Sequence, residues 1–245
     1  MNVTVRSMKL HGGAFGNRGG IRPDKATLEA ENVEATSLGA KTNLDRHIRN
    51  MASFGVPVVV SVNRFTSDTD AEVAAITQAA HESGASSVCI TEVHAHGGEG
   101  GKELAEAVVK AVQNHVAAGR PFVPLFTPET DVLAKAEAIA TRLYKADGLE
   151  LTAKAQRELE RIRSWGYGHL PVCMAKTQYS FSHDASLLGA PTGFTVPVRD
   201  FRLNAGAGFV VAVLGNMMTM PCLPKRPAAL DMDMDEDGNL LGVFG

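Results

Sequence analysis

The 245-residue sequence is poor in the features that mark specialised protein classes. It has no unbroken apolar run of about 18 residues, the length a bilayer-spanning helix needs. Its first residues show no basic stretch leading into an apolar core, the pattern of a secretory signal. Cysteine is scarce. Cys89, Cys173 and Cys222 are odd in number and lie outside any CxxC spacing, which argues against a disulfide frame or a zinc site. Charge of one sign is lacking too: 24 Lys and Arg stand against 27 Asp and Glu, for a net charge of −3. Nucleic-acid binding calls for clustered cations, and no such cluster is present. There is no internal repeat and no low-complexity segment. These absences predict a soluble cytoplasmic chain whose partners are neither nucleic acid nor membrane.

What remains is an ordinary globular composition, 44% hydrophobic and 21% charged, enough for one sizeable core or two small ones. Met1 to Gly13 reads as a buried strand running into a turn, with Arg6, Lys9 and His11 beside Gly12 and Gly13. Such a strand end sets cations and bare backbone N–H groups at the carboxyl edge of a sheet, where open α/β sheets bind ligands. Residues 14–25 form a glycine-rich basic loop. A helix is predicted from Leu28 to about Ser53, with a possible interruption at Ala40 and Lys41. The run Val56–Val62 is dominated by β-branched valines, as in a parallel strand buried on both faces. Asn63–Asp70 is turn-rich, with Ser67 or Asp68 as the expected N-cap of a helix from Asp70 to Ser83. A strand at Ser87–Thr91, a second glycine-rich loop at Glu92–Lys102 and a helix from Lys102 to Ala118 follow. This alternation is the pattern of a doubly wound α/β sheet.

Beyond Arg120-Pro121 the texture changes. Helices are expected over Thr130–Lys145 and Thr152–Ser164, with Asp147-Gly148 as a turn between them. Strands are expected at Pro171–Ala175, Gly193–Arg199 and Gly208–Leu214, and a hairpin at Asp237-Gly238. The predicted organisation is therefore α/β: a partial doubly wound core over 1–120 and a smaller α+β region over 121–245.

Several local patterns suggest chemistry and do not complete it. Asp233, Asp235 and Asp237-Gly238 resemble the front of a calcium loop, but its twelfth position is Phe244, where calcium needs a carboxylate. Gly97–Lys102 resembles a phosphate loop, but Glu103 stands where a Walker A sequence has Ser or Thr. His94 and His96 would share one face of a strand, without a third metal ligand nearby. Phe65, just past a sheet edge, is either a core plug or a platform for a flat heterocycle.

Taken together, four stretches resemble the formate–tetrahydrofolate ligase family. Thr4-Val-Arg-Ser-Met-Lys-Leu-His-Gly-Gly13 is similar to Thr-Val-Arg-Ala-Leu-Lys-x-His-Gly-Gly. Asn43-Leu-Asp-Arg-His-Ile48, with Phe54–Val60 and Asn63-Arg64-Phe65, resembles the next block. Leu170–Ser182, which contains Lys176-Thr-Gln-Tyr-Ser-Phe-Ser182, is the most specific match. Met218–Pro221 with Leu223–Ala229 resembles the last. The resemblance implies a P-loop-type α/β core and ATP-dependent formylation of tetrahydrofolate through formyl phosphate, with Mg²⁺ accompanying ATP. It implies that Lys9 and His11 are catalytic residues that, with Gly12 and Gly13, border the phosphate and formyl-phosphate pocket, and that Phe65 is one face of a pterin clamp. The other face is a Trp within Val-Trp-Ala-x-Gly-Gly, a position held here by His94. Cys222 replaces a Gly of the family's Met-Pro-Gly-Leu-Pro.

The resemblance covers roughly the last two fifths of a family member, without its ATP-binding loop. The expectation is a chain inactive on its own, within a homo-oligomer that in the family is a tetramer. Two alternatives stand beside it: a split enzyme completed by a separate N-terminal polypeptide, and a non-catalytic chain that binds folate or associates with other subunits.

Overall fold

The computed structural model describes residues 1–15, 25–215, 226–238 and 240–242. Most of the basic glycine-rich loop, the Met218–Pro221 block and Cys222 lie outside them. By internal contacts the chain divides into residues 1–215 and 216–245.

The first unit opens on a strand far shorter than the sequence suggests. β1 is only Asn2–Val3, and α1 (Val5–His11) begins at once. The reason is a capping box. The Thr4 hydroxyl accepts the Ser7 N–H at 3.2 Å, and the Ser7 hydroxyl accepts the Thr4 N–H at 3.3 Å. Together these satisfy two donors that a helix start leaves orphaned. Val5 and Met8, three residues apart, then bury one face of the helix. Lys9 and His11 accordingly sit on a helix and not at a strand end.

α2 (Lys25–Glu29) and α3 (Val33–Gly39) follow. A π-helical turn, Ala40–Leu44, runs directly into α4 (Asp45–Ala52). The interruption expected at Ala40 and Lys41 is this widened turn, which the chain crosses without breaking the helix. α1 and α3 cross at backbone contact. A Cβ on Gly12 would meet the Ala35 carbonyl oxygen at 1.8 Å, and one on Gly39 the Met8 carbonyl oxygen at 2.0 Å.

β2 (Val59–Asn63), α5 (Asp70–Glu82) and β3 (Ser87–Thr91) complete a parallel sheet of order β1-β2-β3. Thr69 caps α5, its hydroxyl accepting the Glu72 N–H at 3.3 Å, so the cap falls one residue after the expected pair. Val60 and Val62 pack on Val5, Met8, Leu44, Ile48, Val73 and Ile76 to form the first core. The second glycine-rich loop is ordered as a short helix, α6 (Val93–His96), and a 3-10 turn, Gly97–Gly101, ahead of α7 (Lys102–Ala117). His94 and His96 thus lie on a helix, where two residues apart means different faces.

The second half builds a mixed sheet, β4-β6-β7-β5, from β4 (Gly148–Leu151), β5 (Val172–Ala175), β6 (Thr195–Asn204) and β7 (Phe209–Leu214). The β4·β6 and β5·β7 pairs are parallel, and β6·β7 is antiparallel. α8 (Val132–Ala138), extended by a π-helical turn Ile139–Leu143, and α9 (Ala153–Ser164) bury Val132, Ala140, Leu159 and Ile162 against Val196, Val198, Val210 and Ala212. Among the described residues β4 is the strand the sequence concealed, because Asp147-Gly148 reads as a turn.

In the second unit, β8 (Asp233–Met234) and β9 (Leu240–Leu241) form the antiparallel hairpin expected at Asp237-Gly238. Gly238 takes φ 84° at the turn, a conformation glycine adopts without strain. No helix among the described residues is long and apolar enough to cross a membrane.

Candidate functional site

The carboxyl edge of the parallel sheet carries two of the expected residues. Asn63 of β2 is in register with Thr91 of β3, and the Arg64 N–H donates to the Thr91 carbonyl at 3.0 Å. Phe65 and His94 follow directly on these neighbouring strand ends, which puts both on the edge where parallel sheets bind ligands. Asp68 fixes the Phe65 turn: its carboxylate accepts the Phe65 N–H at 2.9 Å. Burial holds the Asp68 carboxyl above its ordinary value, against the pull of that bond. The Arg6 guanidinium stacks on the Phe65 ring, 4.5 Å from its centre. That contact contributes about 0.5–1 kcal/mol at a partly exposed site and occupies one ring face. His94 is exposed and lines a groove of about 720 Å³ with Asn63, Thr91 and Leu104.

Lys9 is fully buried. Its ammonium donates to the Ala30 carbonyl at 2.8 Å and pairs with Glu72 at 2.7 Å. Glu72 also accepts the N–H groups of Asn32 and Thr69, at 2.8 and 3.1 Å. Burial pushes the Glu72 carboxyl upward, but these hydrogen bonds outweigh it and hold the group below its usual value. Lys9 therefore ties α1 to α5 and to the segment ahead of α3. Gly12 is the contact where α1 crosses α3, while Gly13 takes φ 81° with open space around it.

His11 faces the other way, toward the segment that follows β5. Its Nδ1 accepts the Gly189 N–H at 3.2 Å, so the neutral ring carries its proton on Nε2. Burial, with repulsion from His47 second, pushes the His11 pKa down to about 4. The Asn43 amide donates to the Gly189 carbonyl at 3.1 Å. Phe181 lies against His47, ring centres 4.5 Å apart. Lys176 donates to the Thr177 carbonyl at 2.9 Å and to the Ser180 carbonyl, and burial lowers its pKa to about 8.

The fold thus separates the expected site residues into three settings: Phe65 and His94 at the sheet edge, Lys9 inside, and His11 at the seam with residues 176–189. Arg46, His47 and Lys176 were not singled out by the sequence as site residues. The available signal was Lys176 itself, inside the most specific stretch and directly after a strand. Among the described residues no three His, Cys, Asp or Glu side chains gather as a metal site.

Against known proteins, the family model for formate–tetrahydrofolate ligase matches residues 1–244. The chain is 47% identical over 242 residues to the formate–tetrahydrofolate ligase of Maricaulis maris (strain MCS10), and 48% identical over 242 residues to that of Ruegeria sp. (strain TM1040). Its identity to the ligase of Symbiobacterium thermophilum is 46% over 243 residues. Each alignment takes in 99% of this chain and 41% of the relative, so the chain spans about two fifths of the length of the curated relatives it matches.

Proposed function

Because the chain belongs to the formate–tetrahydrofolate ligase family, we propose that it forms the tetrahydrofolate-binding side of an enzyme that formylates tetrahydrofolate at the expense of ATP. The observation that carries this reading is a match running along the whole chain. In the proposed reaction ATP phosphorylates formate to formyl phosphate. The N10 amine of tetrahydrofolate attacks the formyl carbon and phosphate leaves, giving 10-formyltetrahydrofolate. Positioning and charge neutralisation supply most of the rate in such transfers.

In this reading Phe65 and His94 seat the pterin at the sheet edge, and Arg6 backs Phe65. His11, Gly12 and Gly13 border the phosphate and formyl-phosphate side. Lys9 serves that side as a positioning residue, holding α1 in place through Glu72. The P-loop, with ATP and its Mg²⁺, belongs to the part of the family's length outside this alignment. A separate polypeptide supplying that part needs a seat here. The exposed valines of α7, Val108, Val109, Val112 and Val116, offer an apolar face of the kind such contacts use. The proposed setting is the cytoplasm, in a homo-oligomer, with the chain organised as 1–120 and 121–245.

A second reading, a non-catalytic chain that binds folate or associates with other subunits, is favoured by His94 at the family's Trp position. ADP release that depends on both formate and tetrahydrofolate separates the two. We expect none from this chain by itself, and turnover when a polypeptide carrying the P-loop part is added. Silence in both preparations would leave the non-catalytic reading.

A further inference from the structure

The Phe65 turn contains a buried carboxylate that turn formation alone does not call for. Asp68 is 4% exposed, although it stands between the exposed residues Thr66 and Asp70. It closes the turn in both directions. Its Oδ2 accepts the Phe65 N–H at 2.9 Å, and its own N–H donates to the Phe65 carbonyl at 3.0 Å. Arg64 pins the ends of this turn. Its N–H donates to the Thr91 carbonyl at 3.0 Å, and its guanidinium donates to the Asp68 carbonyl at 3.3 Å and to the Asp70 carboxylate at 2.7 Å.

Closing a turn needs only an acceptor. Asn supplies one as readily as Asp, and a buried carboxylate costs more than a buried amide. The charge is therefore the feature that asks for a reason. Among the described residues no salt bridge engages Asp68. Its surroundings are charged all the same: Arg6 and Lys9 attract it from α1, and Glu72 repels it from α5. Burial outweighs the attraction and holds the carboxyl above its ordinary value.

The four charged groups are not equally satisfied. Lys9 and Glu72 bond each other at 2.7 Å. Arg6 is engaged more loosely. Glu29 lies 3.7 Å away, and the buried Arg6 Nε makes no hydrogen bond. The guanidinium nevertheless stays on the Phe65 ring, 4.5 Å from its centre. Asp68 supplies the negative charge beside it. Asp68 thus acts on Phe65 twice, on its backbone through the N–H and on its ring through Arg6. A protonated carboxyl would be a weaker acceptor and would no longer attract the cation.

We infer that Asp68 is the positioning residue of the Phe65 platform, and that its ionisation sets how firmly the platform receives a flat heterocycle. The inference rests on the ligase reading only for tetrahydrofolate as that heterocycle.

The first measurement needs no ligand. The Phe65 amide proton is followed by NMR on the full chain as the pH falls from about 7.5 to about 4.5. It should move as Asp68 takes up its proton, with a midpoint above the ordinary 3.8, and should stay in place in D68N. The second measurement is calorimetric titration with tetrahydrofolate, under anaerobic conditions, over the same range. At about pH 7.5, D68N should bind about tenfold more weakly than the unaltered chain. The ratio of the two affinities should shrink toward one as the pH falls, because protonation makes the unaltered chain resemble D68N. His94 and the ligand's own groups titrate in both proteins and cancel in that ratio. A Phe65 amide that does not titrate, or a ratio that is constant with pH, overturns the positioning role. Should D68N not fold, the amide titration of the unaltered chain decides. A titrating amide in a chain that binds no tetrahydrofolate would count against the ligase reading and leave Asp68 as the residue that positions Phe65.

Discussion

Lys9 and Glu72 form an ion pair sealed from water: Nζ lies 2.7 Å from Oε1, and the side chains are 1% and 0% exposed. Removing one partner strands the other charge in the interior, which costs about 3–5 kcal/mol. K9M and E72Q should each destabilise by that amount in urea unfolding. K9M/E72Q should cost clearly less than the sum, because neither charge is then left unpaired. A K9M protein of unchanged stability would remove the positioning role and return Lys9 to the candidates for direct contact with substrate.

Gly12 and Gly13 are adjacent and do different work. A Cβ on Gly12 would overlap the Ala35 carbonyl at 1.8 Å, whereas one on Gly13 would meet nothing within 4 Å. Gly12→Ala must push α1 off α3 and should abolish soluble expression or lower stability by more than about 3 kcal/mol. Gly13→Ala meets only the strain of φ 81°, about 1 kcal/mol. Thermal unfolding of the pair checks the ranking, and equal effects would contradict the close helix crossing.

The pH response of His11 follows from its lowered pKa. The folded ring titrates at about 4 and the unfolded one near 6.5, so between those values the unfolded state binds more protons. The stability contribution is complete above about pH 6.5 and is lost as pH falls toward 4, by roughly 1–3 kcal/mol. H11Q retains a side-chain acceptor for the Gly189 N–H and has nothing to titrate. Its stability should fall less than that of the parent between pH 6.5 and 5, measured by urea unfolding. Parallel curves for the two proteins would show that His11 is not held neutral.

The sequence discloses the parts of this chain whose information is local. β3 appears over Ser87–Thr91 as expected, and α9 starts at its Thr152 cap, whereas α5 takes Thr69 as its cap and not Ser67 or Asp68. Val3-Thr-Val5 favours a strand, and the capping box between Thr4 and Ser7 overrides that preference to start α1. A glycine needed for a helix crossing, as Gly12 is, and one needed beside a ligand look alike in sequence. The seam was invisible for a different reason: residues 11, 43 and 189 come together only when the segment after β5 folds back onto α1 and the first π-helical turn.

The last prediction concerns the sheet edge. Phe65 and His94 follow the ends of neighbouring parallel strands, and Arg6 covers one face of the Phe65 ring at 4.5 Å. If a pterin lies here it stacks on the remaining face, and an imidazole at position 94 gives it less area than an indole. An aromatic pair is worth about 0.5–1.5 kcal/mol beyond area burial, so H94W should tighten tetrahydrofolate binding by about 2- to 10-fold. F65A should weaken it by at least as much through loss of the platform. Because position 94 is exposed, the larger ring costs the fold little, and calorimetric titration of the two variants compares affinities without turnover. Opposite shifts would place the pterin between these residues. Unchanged affinity in both would remove the folate seat from this edge while leaving family membership intact, since that rests on the whole chain and not on two side chains.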